Sequence, residues 1–363
     1  MQKNKKIIYG IMSVLIMLMI ILDTKTAIIG AREGINLCLK TVIPSLFPFF
    51  ILSGIISSCF QGHNFSPFRP IARLCKIPSG HDSIFLLGLI TGYPVGAQMV
   101  AQEYKRGTLS KENARRMLGF CSNAGPAFIF GMLTSIFDNK RFIWMLWGIH
   151  ILSAIFVAII LPGIPDDLRT KQNTNSVSLS QAMDNGIRNM ARVSAWVVIF
   201  RVFIKFCERW FLWIFPVNLQ VFFSGLLELS NGTVLLPQIQ SEGLRFIIAS
   251  VLLAFGGLCV AMQTQSVTST LGFGCYFPGK VLQCLFSFLL SSILQTHILS
   301  YNCCYKIKLS HILMVIILIF FVICYIYRKI IVDFAKRVLY NTSNKSKRGT
   351  SCYALSKKNH PLL

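Results

Sequence analysis

The chain has 363 residues, 54% of them hydrophobic and only 13% charged, with a mean hydropathy of +0.61. Its apolar residues gather in runs of span length, which excludes an ordinary soluble domain and reads as an all-α polytopic membrane protein. The formal charge of +23, from 36 Lys and Arg against 13 Asp and Glu, is divided among loops and tails, so it reads as membrane topology and not as nucleic-acid binding.

Lys3, Lys5 and Lys6 precede the apolar run Ile7–Leu22. This reads as an uncleaved first span with its N-terminus in the cytoplasm, since no small-x-small cleavage site follows; a cleaved signal peptide is the rival reading. A second run, Ile35–Ser58, carries Pro44 and Pro48, each of which removes a helical hydrogen bond and predicts a kink. The loop Gln61–His81 bears Arg69, Arg73 and Lys76 and is expected inside. Ile84–Ile90 is only a half-span, broken at Gly92–Gly96, and its continuation Ala97–Glu103 leads to Lys105 and Arg106. An entry that returns to its own side is a re-entrant hairpin.

Ser110 is placed to cap a helix that carries Arg115 and Arg116 near the inner face. That helix is expected to break at Asn123–Pro126 and continue through Phe137. After a turn at Asp138–Arg141, Phe142–Leu161 returns inside, and the polar stretch Pro162–Ser180 separates two halves. The second half opens with Gly186-Ile187 and a span near Val193–Phe206. Phe211–Gln238 is interrupted at Ser230-Asn231-Gly232 and Pro237. Leu244–Met262 leads through Gly256-Gly257 into Gln263–Ser266, and Val281–Leu299 and Ile312–Tyr327 are the last spans. A basic tail follows Arg328. Hydropathy and charge together give about eight spans and two hairpins, with both termini inside; Lys306 and Lys308 fall on the outer side in this count.

The halves share an order of features. Gly34-Ile35 matches Gly186-Ile187, Gly88-Leu89-Ile90 matches Gly225-Leu226-Leu227, and Ala124-Gly125 matches Gly256-Gly257. The charge-derived topology makes the two copies run in opposite directions, and inverted repeats with paired interrupted helices are a transporter architecture.

A broken membrane helix leaves backbone polar groups that hydrocarbon cannot satisfy, so breaks mark protein-buried or cavity-lining sites. The candidate solute-binding residues are Thr91, Gly92, Tyr93, Pro94, Gly96, Gln98, Ser122, Asn123, Gly125 and Pro126 in the first half. In the second they are Glu228, Ser230, Asn231, Gln263 and Gln265. Their amides and hydroxyls suit a neutral polar solute, and they suit helix-to-helix bonding equally well. Glu228 at membrane depth is a candidate ion or proton ligand, or else a solvated surface carboxylate. Arg201 and Lys205 are expected to snorkel outward. Gly274 to Lys280 spells G-x-x-x-x-G-K, but Val281 replaces the required Ser or Thr and no strand precedes it, so it reads as chance. Twelve scattered cysteines without C-x-x-C or Cys/His spacing read as small hydrophobes. With no catalytic motif, no metal set and no cofactor motif, an enzyme is not expected.

Gly92-Tyr93-Pro94-Val95-Gly96-Ala97, the linker with Arg115-Arg116, and Asn123-Ala124-Gly125-Pro126 followed by Phe128-Ile129-Phe130-Gly131 resemble the YlbJ-type sporulation integral membrane proteins of endospore-forming bacteria. These are similar to the nucleoside-recognition, or Gate, domain families. The resemblance runs from about Gly30 to about Gln265 and is strongest in the first half. It implies a multi-pass protein of the bacterial cytoplasmic membrane tied to spore formation, with a domain similar to part of the concentrative nucleoside transporters. The implied division is an N-terminal span (1–27), a first Gate-like repeat (28–162), a cytoplasmic linker (163–180), a second Gate-like repeat (181–300), a last span (301–328) and a cytoplasmic tail (329–363). Expected partners are the lipid bilayer, a small polar solute such as a nucleoside, and either further copies of the chain or other sporulation membrane proteins. The alternative function is a non-transporting scaffold or assembly factor for the spore envelope.

Overall fold

A computed structural model describes residues 2–60, 68–137, 139–163 and 178–299. The span expected at Ile312–Tyr327, the tail, and the middle of the linker lie outside the described residues. The described chain is helical, with no strand among the described residues. It is an all-α polytopic membrane protein: four segments, Thr24–Ile56, Lys140–Ile160, Glu242–Val267 and Tyr276–Gln295, are long and apolar enough to cross a bilayer. Ser13–Leu22, Asp82–Thr91 and Val217–Leu227 are shorter apolar helices.

α1 (Gln2–Leu22) leaves large apolar side chains such as Ile11, Leu15 and Leu22 exposed. Such a surface suits lipid contact. α2 (Thr24–Leu37), capped by Asp23 on the Thr26 N–H, runs through a widened π-turn at Cys38–Val42 into α3 (Ile43–Phe60). The turn lies where Pro44 cannot donate to the Lys40 carbonyl, so proline is the physical cause of the expected irregularity. The helical segment nevertheless begins eleven residues earlier than Ile35, at Thr24.

α2 and α3 pack on α10 (Leu179–Trp210), a single helix of 32 residues. It starts well before the span expected from Val193, because Ser178 and Gln181 form a reciprocal capping box inside the stretch read as linker. Gly30 and Gly34 bring α2 against α10: a Cβ at either would lie within 2.9 Å of the Val202 or Val198 Cα. Small residues four apart permit this approach. Arg201 and Lys205 consequently do not snorkel outward. Arg201 bonds Glu33 and, at 2.8 Å, Glu208; Lys205 lies 3.0 Å from Glu33 and 3.1 Å from Glu208. The facing acid on α2 is what the one-span reading of α10 could not supply.

The rest of the first half is α4 (Arg69–Leu74), α5 (Asp82–Thr91), α6 (Val95–Lys105), α7 (Lys111–Met117), α8 (Pro126–Leu133) and α9 (Lys140–Ile160). The second half adds α11 (Val217–Leu227), α12 (Leu229–Leu235), α13 (Glu242–Phe255), α14 (Gly257–Val267) and α15 (Tyr276–Leu299). α15 packs on α9 and α13. Phe137, Phe142 and Phe246 stack among α8, α9 and α13 in the apolar core beside the site.

Candidate functional site

Four interruptions meet in the middle of the fold. The first is at Gly92-Tyr93-Pro94, between α5 and α6, where Gly92 has φ +79° and the Tyr93–Pro94 bond is cis. A left-handed φ of that kind favours glycine. The chain reverses here, because a Cβ at Gly96 would lie 2.9 Å from the Gly88 Cα. The second is longer than the expected Asn123–Pro126: α7 ends at Met117, and the chain stays unwound to Gly125. Ser110 caps α7 as expected, accepting from the Asn113 N–H at 3.3 Å.

The second half repeats the plan. α11 gives way to α12 at Glu228, and a Cβ at Gly232 would fall 2.1 Å from the Gly225 Cα, so this hairpin also closes on two glycines. Ser230, Asn231 and Gly232 lie inside α12; the break expected there belongs to Glu228, whose carboxylate takes over the freed amides. Its oxygens accept from the Ser230 N–H at 3.0 Å and the Asn231 N–H at 2.6 Å. Negative charge at a helix N-terminus is favourable. The fourth interruption is Gly256, left-handed at φ +81°, between α13 and α14. Gln263–Ser266 lie in helix α14.

Within each half the two interruptions touch. A Cβ at Gly92 would lie 2.8 Å from the Gly125 N, and one at Gly257 would lie 3.1 Å from the Leu229 N. The halves then join at Tyr93, whose hydroxyl donates to the Leu253 carbonyl at 2.8 Å.

Between them is a cleft lined by Gly92, Tyr93, Gly125, Glu228, Ser230 and Gln263, walled by Val42, Leu46, Phe128, Val193, Val197, Leu229 and Val260. It unites six of the residues singled out in the sequence. Its free volume is about 30 Å³, room for about two water molecules. Glu228 is 2% exposed, which excludes the solvated-surface reading.

The remaining candidates stand beside the cleft. Thr91 donates to the Leu87 carbonyl, Pro94 and Pro126 begin α6 and α8, and Gly96 backs onto the Cys121 carbonyl. Gln98 is half-buried on α6. Ser122 Oγ lies 3.4 Å from Thr264 Oγ1. Asn123 is engaged within the protein: Nδ2 donates to the Phe120 carbonyl at 2.7 Å, and Oδ1 accepts from Gln283 Nε2 at 3.0 Å. Asn231 Nδ2 and Gln265 Oε1 are buried without a hydrogen-bond partner.

Three side chains that sequence reasoning passed over hold the second interruption. Lys280 Nζ donates to the Ser122 carbonyl at 2.5 Å and to Gln283 Oε1 at 2.9 Å, and His150 Nε2 accepts from the Ala124 N–H at 3.0 Å. The available signal was a lysine inside the apolar segment Tyr276–Gln295. Starting that span at Val281 hid it.

The chain is similar to the sporulation integral membrane protein YlbJ of Bacillus subtilis (strain 168), being 24% identical over 304 aligned residues that cover 70% of this chain and 74% of the relative. The chain is YlbJ-like. No protein-family model matches it, and no solved structure matches it.

Proposed function

We propose that this is a multi-pass protein of the bacterial cytoplasmic membrane, with both termini inside, that acts in endospore formation by binding, and passing across the bilayer, a small polar solute. The similarity to a protein named for sporulation and membrane integration supports the setting. The observation that carries the solute reading is the cleft. Glu228, Ser230 and Gln263 from one half face Gly92, Tyr93 and Gly125 from the other at the point where four helices are interrupted, and membrane transporters place solutes where interrupted helices meet. A nucleoside is the solute class that a Gate-like domain implies. The role is one of binding and transport rather than enzymatic chemistry.

A scaffold for spore-envelope assembly, acting with further copies or other sporulation membrane proteins, is the second reading. Its support is specific: the cleft admits about two waters, and the Asn123 amide is already engaged.

The test is a thermal-unfolding screen of the purified full-length protein against nucleosides and small polar metabolites. A ligand that binds only the folded state at 100 times its dissociation constant adds about 2.7 kcal/mol. At least one solute should raise the melting temperature, and Gln263→Ala should abolish its effect. A screen without any shift would favour the scaffold.

A further inference from the structure

α15 enters the site through a close approach. Cys275 N–H donates to the Arg115 carbonyl at 2.8 Å, and a Cβ at Gly279 would fall 2.2 Å from the Gly119 carbonyl oxygen. The two small residues Gly274 and Gly279 thus let the start of α15 lie on the unwound stretch after α7, and the next residue, Lys280, is carried fully inside at 0% exposure. Its ammonium has two neutral acceptors, a carbonyl and an amide oxygen, and the rings of Tyr93 and Tyr276 at 5.3 and 5.9 Å. No Asp or Glu pairs with it among the described residues. A buried charge without a counter-charge is costly, and in membrane proteins such residues mark pathways and ligand sites.

A second observation points the same way. His150 binds the same unwound stretch as Lys280, two residues further on, at the Ala124 N–H where Lys280 takes the Ser122 carbonyl. Its Nε2 accepts a backbone N–H, which assigns the ring proton to Nδ1. Nδ1 is buried with no partner, on a residue 1% exposed. A cation and an unused N–H donor held on one unwound stretch complement an anion.

We propose that Lys280 and His150 anchor an acidic group, a carboxylate or phosphate, carried by the solute that enters the cleft. This rests on the solute reading above and narrows it to an acidic class. The Tyr93 ring is common to both places, lining the cleft and stacking beside Lys280.

The experiment compares matched probes on the full-length protein in neutral detergent by thermal shift: uridine 5′-monophosphate against uridine, nicotinate against nicotinamide, and phosphatidylglycerol as the lipid source of the same chemistry. The acidic member of at least one soluble pair should stabilise the protein. Its dissociation constant should rise at least about tenfold in Lys280→Gln, with any effect of the neutral member retained. Should Lys280→Gln fail to accumulate, His150→Gln, which keeps an acceptor for the Ala124 N–H, should show the same selective weakening. Acidic probes that stabilise wild type and variant equally, or no better than their neutral partners, would overturn the proposal while leaving the solute reading intact. Stabilisation by phosphatidylglycerol alone would overturn the assignment to a solute. No shift with any probe, together with a blank nucleoside and metabolite screen, would overturn both readings.

Discussion

Arg116 shows how a charge is made tolerable at the membrane face. Buried to 3% exposure, it donates through Nε to the Leu161 carbonyl at 3.0 Å, through Nη1 to Lys76 at 3.1 Å, and through Nη2 to Cys75 and Ala158 at 2.5 and 2.7 Å. Ala158 and Leu161 are carbonyls at the C-terminal end of α9, where a cation is favoured and backbone acceptors lack helical partners. A guanidinium fork can serve four carbonyls at once, whereas an ammonium cannot match that geometry. Arg116→Lys should therefore cost about 2 kcal/mol, read as a lower melting temperature with Arg115→Lys as the control. Equal melting temperatures would remove the stapling role. The sequence placed Arg116 near the inner face from charge alone; its four partners come from two distant stretches, at Cys75 and Lys76 and at Ala158 and Leu161, and leave no local pattern. Ser110 was legible because capping is local. The sequence left Glu228 between membrane depth and a solvated surface, and its capping role was not legible, since the break it occupies carries neither Gly nor Pro.

At the scale of elements, the interruptions at Gly92-Tyr93-Pro94 and at Gly256 were found where they were expected, and the other two were displaced. α5 and α6 break at Gly92-Tyr93-Pro94 as the sequence suggests. The break after α7 begins at Leu118, five residues before Asn123, because the unwound backbone is satisfied by Lys280 and His150 from distant helices. Such tertiary partners override local propensity. Lengths were misread for a different reason: a local capping box at Ser178 starts α10 inside a polar stretch that composition assigned to a linker. The reversal between α5 and α6 also makes a topological prediction. Since Gly88 and Gly96 are in contact range, the chain returns to the side it left, and the exposed end of α6 is cytoplasmic in the proposed orientation. Lys105→Cys in a cysteine-free background should resist an impermeant thiol reagent in intact cells and react after permeabilisation. Labelling in intact cells would contradict the hairpin orientation.

For the whole molecule, the sequence conveyed the class, because apolar runs of span length survive in one dimension. It did not convey that the paired interruptions close on one another through Gly92 and Gly125 in one half, and through Gly257 and the Leu229 amide in the other. Nor did it show that the Tyr93 hydroxyl reaches the Leu253 carbonyl in the other half. The central claim is that the small cleft between these interruptions opens to admit a solute, which separates a transporter from a rigid scaffold. Ser230 lines the cleft and is 4% exposed, while Ala249 on α13 lies in the apolar core at 1% exposed. The direct measurement is the reactivity of a single cysteine at each position toward a small charged methanethiosulfonate reagent in native membranes, because a space for about two waters cannot hold the reagent unless the halves part. Reaction of Ser230→Cys, slowed by any solute that raises the melting temperature, with Ala249→Cys inert, is the predicted result; a Ser230→Cys protein that stays as unreactive as Ala249→Cys would contradict the claim.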